Sequence, residues 1–424
     1  MLILGIEDWR EWFSCNEGAA QLEFLYGNAE KARDRYLSAY DEYFKVFGHE
    51  SGAFFSAPGR TELSGNHTDH QQGYVLAGAV VLDMIAVVYP RNDMKIRIVS
   101  EGYQNTELEI TELLPGNNEK NTTAAIARGV AAGFVERGYK AGGFDVYIVS
   151  DIPLGGGLSS SAAIEVLFGT IQNVLYNHGE VDELLIAKIG QYAENHFFEK
   201  PSGLMDQAAI ALGGVSFMDF SGGEVHIERL DIDFSAMDWE ICVVDAGGSH
   251  EGLTAEYSAI TDDMKAVAQN FGKSVLSEVN EAEFYAEIPN LRERVSDRAI
   301  LRAMHFYAEN ARVLKQLEAL KAGDMESYKE LMLESGRSSY DYLQNTYSTG
   351  DEKERSICLA LCLSERILSD KGAWRVHGGG FAGTIQALVQ RDMLESYTMQ
   401  MQAVFGDGSV CCLRVRPLGG YCFS

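Results

Sequence analysis

The sequence has little positive charge and no long apolar run, and both absences limit what the chain can do. Its 424 residues include 35 lysines and arginines against 62 acidic residues, a net charge of −27. This balance argues against nucleic acid and anionic membranes as partners. No run of about 18 apolar residues occurs, so we expect no membrane span. Residues 1–8 reach Glu7 and Asp8 without a basic start, so we expect no signal peptide and a cytoplasmic location.

The cysteines indicate neither a disulfide framework nor a metal site. There are seven of them, an odd and scattered set that is typical of a reducing compartment. Cys358 and Cys362 lie on a predicted helix, and Cys411 and Cys412 are adjacent in a predicted strand. No metal-ligand spacing links them to histidines, so we interpret them as packing residues. With 46% apolar residues the chain can build a large core, and its length predicts two to three domains.

A glycine- and serine-rich segment, residues 153–161, stands between a predicted strand at 144–149 and a predicted helix that begins near Ala162. Glycines let the backbone turn tightly and approach a ligand, and a helix start offers free N–H groups and a positive dipole end. The pattern predicts a phosphate cradle, although a flexible turn before a serine-capped helix would look similar. It is neither a Walker A loop nor a G-x-S-x-G nucleophile elbow.

The cradle string, Pro-Leu-Gly-Gly-Gly-Leu-Ser-Ser-Ser-Ala-Ala, resembles the second motif of the GHMP small-molecule kinases, a family that includes galactokinase and mevalonate kinase. Residues 59–73, which without this context would pass as a polar surface loop, are similar to the galactokinase signature. Three positions depart from it: Glu62 replaces an Asn, Asn66 replaces a Glu and His70 replaces a Tyr. The matching positions are Gly59, Arg60, Leu63, Gly65, His67, Asp69 and Gly73.

Three further segments resemble the same family. Residues 203–207, Gly-Leu-Met-Asp-Gln, are similar to a galactokinase string that carries the catalytic aspartate, and Glu194 has the offset of the family's magnesium ligand. Residues 377–383 resemble the third motif, with His377 in place of a Thr, and we expect them to pack closely beside the cradle. Tyr257 matches a tyrosine that borders the sugar in the family; an interior aromatic residue is the alternative.

The resemblance implies an α+β protein with the two-domain GHMP kinase fold, namely a ribosomal S5 domain 2-like N-terminal domain and a ferredoxin-like C-terminal domain. We place an N-terminal extension at residues 1–28, the first domain at 29–225 and the second at 226–424. The patterns predict helices over residues 29–47, 121–138 and 181–198 and through most of 255–370. They predict strands over residues 74–88, 96–100, 107–110, 239–245, 387–389 and 410–415, with a hairpin near 213–220.

The resemblance also implies the site residues of an ATP-dependent sugar 1-kinase. Arg60 and Asp206 would be catalytic, and Ser161 and Glu194 would bind Mg²⁺. The phosphates of ATP would lie on Gly155, Gly156, Gly157, Leu158, Ser159, Ser160 and Ser161. The sugar would contact Asn66, His67, Asp69, Gly203 and Tyr257.

Three functions stay open on the sequence. The first is galactose 1-phosphorylation. The second is a kinase for galacturonate or N-acetylgalactosamine, because an amide at Asn66 can donate to a carboxylate that a glutamate would repel. The third is a non-catalytic sensor of galactose and ATP, which the retained catalytic set argues against. We expect a monomer or weak oligomer, and the sequence assigns no role to His70, His377 or the first 27 residues.

Overall fold

The computed structural model describes residues 1–116, 119–153, 156–200, 202–248, 253–350 and 353–424. Within these ranges the strands are β1 (Ala53–Ser64), β2 (Tyr74–Pro90), β3 (Lys95–Ser100), β4 (Thr106–Glu109), β5 (Phe144–Ser150), β6 (Val215–Asp219), β7 (His226–Leu230), β8 (Trp239–Asp245), β9 (Gly372–Val376), β10 (Thr384–Gln390), β11 (Val410–Leu413) and β12 (Tyr421–Cys422).

The helices of the described residues are α1 (Ile6–Ser14), α2 (Asn16–Tyr26), α3 (Ala29–Phe47), α4 (Thr123–Glu136), α5 (Ser160–Tyr176), α6 (Glu183–Ala193), α7 (Met205–Leu212), α8 (Thr254–Gln269), α9 (Glu281–Leu291), α10 (Asp297–Ala322), α11 (Met325–Ser338), α12 (Ser356–Leu368) and α13 (Leu394–Phe405). Single π-helical turns, Glu194–Phe198 and Ser339–Leu343, follow α6 and α11. Groups of helices are combined with two mainly antiparallel sheets, so the predicted α+β class is confirmed.

The larger sheet is organised around β2. Its strand order is β12-β1-β2-β5-β3-β4, and β6 and β7 extend it from the first half of β2. The apolar run that predicted a buried strand is this strand, which pairs with β1 along much of its length and with β5 and β6 on its other edge. The helices α4, α5, α6 and α7 form a layer on one face, and their apolar side chains share the main core with the strands.

The N-terminal helices cover the opposite face of the larger sheet. Because successive strand residues point to opposite faces, Phe55 enters the main core while Phe54 packs among aromatic rings from α1 and α3. These include Trp9, Phe13 and Tyr36. The first 27 residues, which had no assigned role, therefore help to shield one side of this sheet from water.

The smaller sheet is antiparallel, with the order β11-β8-β10-β9. Along the chain its elements follow the sequence strand, helices, strand, strand, helix, strand, which with this order is the ferredoxin-like arrangement. Three of its strands, β8, β10 and β11, lie where residues 239–245, 387–389 and 410–415 predicted them, and β9 was not predicted. No helix of the described residues is both long and apolar enough to cross a membrane.

The segment that carries the galactokinase-like signature is not a surface loop. Its first part is β1, a strand whose residues are all buried, including Arg60, Thr61, Glu62 and Ser64. The polar side chains that suggested exposure form hydrogen bonds and ion pairs with residues from distant parts of the chain. The last strand, β12, pairs with β1 and so belongs to the larger sheet. The predicted domain boundary between residues 225 and 226 stays a prediction.

Candidate active site

The three glycine-rich segments lie against one another where the two sheets meet. They are residues 59–73 (the first segment), residues 153–161 (the cradle) and residues 377–383 (the third segment). Arg60 donates from Nη1 to the carbonyl of Gly157 in the cradle. Asn66 Nδ2 donates to the Gly378 carbonyl at 2.7 Å, and His67 Nε2 donates to the Gly379 carbonyl at 3.0 Å. The first segment thus contacts both of the others.

An arginine–aspartate pair forms the centre of this junction. Arg60 on β1 donates from Nε and Nη2 to the two carboxylate oxygens of Asp206 at 2.7 and 2.8 Å, and Ser159 Oγ donates to the same carboxylate at 2.6 Å. Burial raises the pKa of Asp206, but the charge and hydrogen bonds of Arg60 and the Ser159 hydroxyl outweigh it, so the pKa lies below its ordinary value. Asp206 is therefore a carboxylate at neutral pH, and its side chain is 29% exposed.

The cradle is fixed to β1 by its own carbonyls. Besides the bond from Arg60 to Gly157, the Arg60 backbone N–H donates to the Leu158 carbonyl at 3.1 Å. Gly157 and Ser159 have φ values of 69° and 57°, a turn that leads directly into α5. No side chain of the described residues caps the start of α5, which leaves first-turn N–H groups for an anion. Gly155 lies outside the described residues, so its role stays a prediction.

Two oxygen donors for a cation lie beside the cradle. Ser161 Oγ on α5 is 3.3 Å from Glu194 Oε1. Neighbouring ligands of an octahedral ion with bonds of about 2.1 Å are about 3 Å apart, so this hydroxyl and carboxylate fit Mg²⁺. Glu194 is 2% exposed and is held by Gln207 Nε2 and Lys200 Nζ, each at 2.9 Å. These two side chains orient the carboxylate, a role that neither the Gly-Leu-Met-Asp-Gln string nor the position of Lys200 indicated.

Asp69 lies against Gly203, close to Asp206. A Cβ built on Gly203 would overlap the Asp69 carboxylate, so only glycine fits there. Burial raises the pKa of Asp69 to about 6, and the nearby charge of Asp206 raises it in the same direction. The structure therefore brings together the aspartates of the first segment and of the Gly-Leu-Met-Asp-Gln string, both of which the sequence assigned to the site.

The ring side chains of the predicted sugar site contact the third segment. Tyr257 on α8 donates its hydroxyl to the Gly380 carbonyl at 2.9 Å, and a Cβ on Gly379 would lie 2.6 Å from its ring. Burial raises the pKa of Tyr257 to about 12, so it stays protonated.

His70, to which the sequence assigned no role, lies beside Gln71. Its Nδ1 accepts from Gln71 Nε2 at 3.0 Å, and burial, with the charge of His67, lowers the pKa of His70 to about 3. His70 is thus a neutral imidazole.

Asn66 is placed differently from the expectation that its amide faces the sugar. It is 1% exposed, its Nδ2 also donates to Glu62 Oε1 at 3.1 Å, and its Oδ1 accepts from Asn345 Nδ2 at 2.9 Å. Glu62 in turn forms a buried ion pair with Arg375. We correct the expectation: the amide of Asn66 is bonded to protein on both sides and positions the first segment. The departures at 62 and 66 are in direct contact.

Several residues of this network could not be found from the motifs. Arg375 stands two residues before the third segment, which was a signal for its position but not for its partner. Asn345 follows a π-helical turn and lies in no motif, so no pattern indicated its role. His377 departs from the family pattern, which marked its position but not its contacts.

Comparison with known proteins agrees with this geometry. The family model described as the GHMP kinases N-terminal domain matches residues 124–214, which contain the cradle, Glu194 and Asp206. The family model described as the galactokinase galactose-binding signature matches residues 41–90, which contain the first segment. The chain is a galactokinase-like sugar kinase. Its residues 124–214 match the GHMP kinase N-terminal domain, and GHMP kinases use ATP as a substrate.

Solved structures confirm that the chain has the two-domain GHMP kinase fold. The Lactococcus lactis galactokinase, solved in complex with galactose, is 24% identical and superposes with a TM-score of 0.79 over 91% of this chain and 99% of that chain. The Methanococcus jannaschii mevalonate kinase is 16% identical, with a TM-score of 0.61 over 85% and 98%. At these identities the likeness establishes the fold, while the substrate requires a separate argument.

Proposed function

We propose that this kinase transfers the γ-phosphoryl group of ATP to the C1 hydroxyl of galactose. The observation that carries the proposal is the bidentate contact of Arg60 with Asp206, which is ionised, partly exposed and joined to the cradle through Ser159 and Gly157. A purely structural ion pair would not need to touch the segment that is suited to phosphates.

The chemistry follows from the charges at this pair. Phosphoryl transfer has a loose transition state, so catalysis depends mostly on position and on neutralising charge. Asp206, as a carboxylate, would orient the sugar hydroxyl and accept its proton. Arg60, which stays protonated, would balance the negative charge that moves between the nucleotide and the sugar, and its fork would keep Asp206 in place.

The nucleotide would lie on the cradle. The amides of Gly156 and Gly157 and the first turn of α5 are suited to phosphate oxygens, with Leu158, Ser159 and Ser160 in the same segment. Ser161 and Glu194 would hold Mg²⁺, which when bound supplies positive charge to the phosphate oxygens. Backbone N–H groups and a bound cation suit a chain whose net charge is −27, since its overall field disfavours anions.

The sugar would contact His67, Asp69, Gly203 and Tyr257. The carboxylate of Asp69 can accept from two hydroxyls, and Gly203, which lacks a Cβ, lets this carboxylate lie directly against the backbone of residue 203. The match to the galactose-binding signature and the likeness to a galactokinase complexed with galactose both support galactose as the substrate.

A second candidate is a kinase for galacturonate or N-acetylgalactosamine. The observation that favours it lies at residues 62 and 66, where the carboxylate is at Glu62 and is neutralised by Arg375, while an amide stands at Asn66. The Asn66 amide is itself bonded to protein, but an acidic sugar bound near the first segment would be repelled less by this neutralised network than by an unpaired glutamate at position 66.

The experiment is a comparison of kcat/KM for galactose, galacturonate and N-acetylgalactosamine with ATP and Mg²⁺, with the product identified as a sugar 1-phosphate by phosphorus NMR. We expect galactose to have the highest value; if it has the lowest, the first proposal is wrong. Asp206→Ala should abolish the sugar-dependent ATP consumption, and Asp407→Asn, on the exposed surface, should not change it. A wild-type chain that consumes no ATP with any sugar would support a sensor instead.

A further inference from the structure

His377 lies at the contact between all three segments and is enclosed by protein. Its Nε2 is 3.0 Å from Thr61 Oγ1 on β1, and its Nδ1 is 3.2 Å from Thr384 Oγ1 on β10. The residue is 2% exposed. Thr61 directly follows Arg60, so the imidazole lies immediately behind the strand that carries the central arginine.

Both ring nitrogens of His377 have a hydroxyl partner, so a neutral imidazole can be fully hydrogen-bonded here. Gln386 Nε2 also donates to Thr61 Oγ1, at 2.7 Å, which holds the Thr61 hydroxyl in place beside His377. Burial lowers the pKa of His377 well below its ordinary value, and the charges of Arg60 and Arg375 lower it further while Asp206 opposes them. The imidazole is therefore neutral and makes one bond in each direction.

The same imidazole packs against the cradle backbone. A Cβ built on Gly157 would lie 2.6 Å from Thr384 Oγ1 and 2.8 Å from His377 Nδ1, so no space remains between these side chains and the glycine. The carbonyl of Gly157 is the one that accepts from Arg60. His377 and Thr384 thus set how closely the cradle can approach β1, and Thr61 holds His377 in register with Arg60.

We propose that His377 is a positioning residue that fixes the cradle relative to Arg60 and Asp206, and through them aligns the phosphates of the nucleotide with the acceptor hydroxyl. The proposal rests on the proposed kinase function. It assigns no contact with substrate to His377. A displacement of about 1 Å between reacting groups can lower the rate by about a hundredfold, so a small shift of the cradle is enough to matter.

The test compares two substitutions of His377 with one at Thr384. His377→Leu removes both hydrogen bonds, His377→Gln keeps a donor and an acceptor, and Thr384→Val removes the partner hydroxyl at nearly constant size. We expect His377→Leu to lower kcat and to weaken binding of adenylyl imidodiphosphate with Mg²⁺, each by about tenfold to a hundredfold. The KM for galactose should change less than about twofold, because the contacts of His377 are Thr61, Thr384 and Gly157, none of which is assigned to the sugar.

The remaining variants separate positioning from folding. His377→Gln should recover most of the nucleotide affinity, and Thr384→Val should reproduce part of the loss in a chain whose core volume is intact. His49→Gln, which alters a histidine paired with Asp145 at 2.7 Å on a different part of the sheet, should leave nucleotide binding unchanged. Equal losses in sugar and nucleotide parameters, or wild-type nucleotide affinity in both His377→Leu and Thr384→Val, would overturn the role of His377.

Nucleotide binding is measured without sugar, so the sugar assignment does not affect this readout. A wild-type chain that binds no nucleotide would contradict the proposed function itself. Normal binding by the wild type together with unaffected variants would contradict only the role of His377.

Discussion

Two arginine–carboxylate pairs share the strand β1, and they differ mainly in what surrounds them. Arg60 pairs with Asp206, whose side chain is 29% exposed, whereas Glu62 pairs with Arg375 where the side chains are 4% and 1% exposed. The first pair touches the cradle and can meet a ligand. The second is enclosed by Gln386, Asn66 and Ser335 and meets only protein. Under the proposed function, the same ionic chemistry serves catalysis at one position and architecture two residues later, because of these two pairs the first is the one that a ligand can reach.

The largest effect is expected from a change in the partly exposed pair, Arg60 and Asp206. Arg60→Lys keeps the charge but loses the fork that holds both oxygens of Asp206 and the Gly157 carbonyl. We expect kcat to fall by about 10²–10³-fold, with a melting temperature close to that of the wild type. Steady-state kinetics and differential scanning calorimetry check this, and a variant that keeps its activity but unfolds early would make this pair structural.

For the buried pair, Glu62 and Arg375, we expect a loss of stability rather than of activity. Glu62→Gln leaves Arg375 in the interior with Glu309, 3.9 Å away, as its remaining anionic partner, so the free energy of unfolding should fall by about 1–3 kcal/mol. Urea unfolding measures the loss, and kcat of the folded enzyme should stay within about threefold of wild type. Asp297→Asn, which breaks an exposed pair with Arg292, serves as the control and should leave stability unchanged. A Glu62→Gln enzyme that is stable but inactive would remove the distinction between the pairs.

A third prediction concerns Gly203, which lies against Asp69 near the Arg60–Asp206 pair. Gly203→Ala would push a methyl group into the Asp69 carboxylate, so we expect KM for galactose to rise by about tenfold or more with little change in KM for ATP. Gly222→Ala is the matched control, because a Cβ there meets only the Glu224 carbonyl at 3.7 Å. An unchanged KM for galactose in Gly203→Ala would mean that the sugar does not approach Asp69.

The smallest effect concerns pH. The pKa of Asp69 is raised to about 6, so this carboxyl is protonated below that pH and ionised above it. If the ionised form binds the sugar hydroxyls, kcat/KM for galactose should fall by up to tenfold per pH unit below about pH 6 and be level above it. The profile is measured at saturating ATP, and Asp69→Asn should abolish the acid limb. A profile that keeps this limb in Asp69→Asn would assign the titration to another group.

The sequence predicts the regular elements wherever the chain follows simple rules. The helix α3 is capped at its start by Asn28, whose side chain accepts from the Lys31 N–H, and at its end by Gly48, with a φ of 71°. Its bounds agree with the predicted range. The strands β2 and β8 are apolar runs that coincide with their predictions within two residues. These elements depend on neighbours in the chain, and local patterns suffice to find them.

The strand β1 shows where local reasoning fails. Its polar residues are tolerated inside because Arg60, Thr61, Glu62 and Ser64 find Asp206, His377, Arg375 and Gln316 from later parts of the chain. Long-range partners have no signature in the strand itself. The resemblance supplied Arg60 and Asp206 as a pair, but it could not show that the exchanged residues Glu62 and Asn66 bond to each other.

The pairing of β1 with β12 has a consequence for how the protein is made. Phe55 lies opposite Cys422 and Ser56 opposite Tyr421, so one edge of the strand that carries Arg60 is completed by residues translated several hundred codons later. Until they emerge from the ribosome, the nascent β1 exposes an unpaired edge that can bind other extended chains. Contacts this distant in sequence also form slowly. During synthesis this edge of β1 is therefore among the last parts of the sheet to pair, and a chaperone that shields it would raise the yield of active protein.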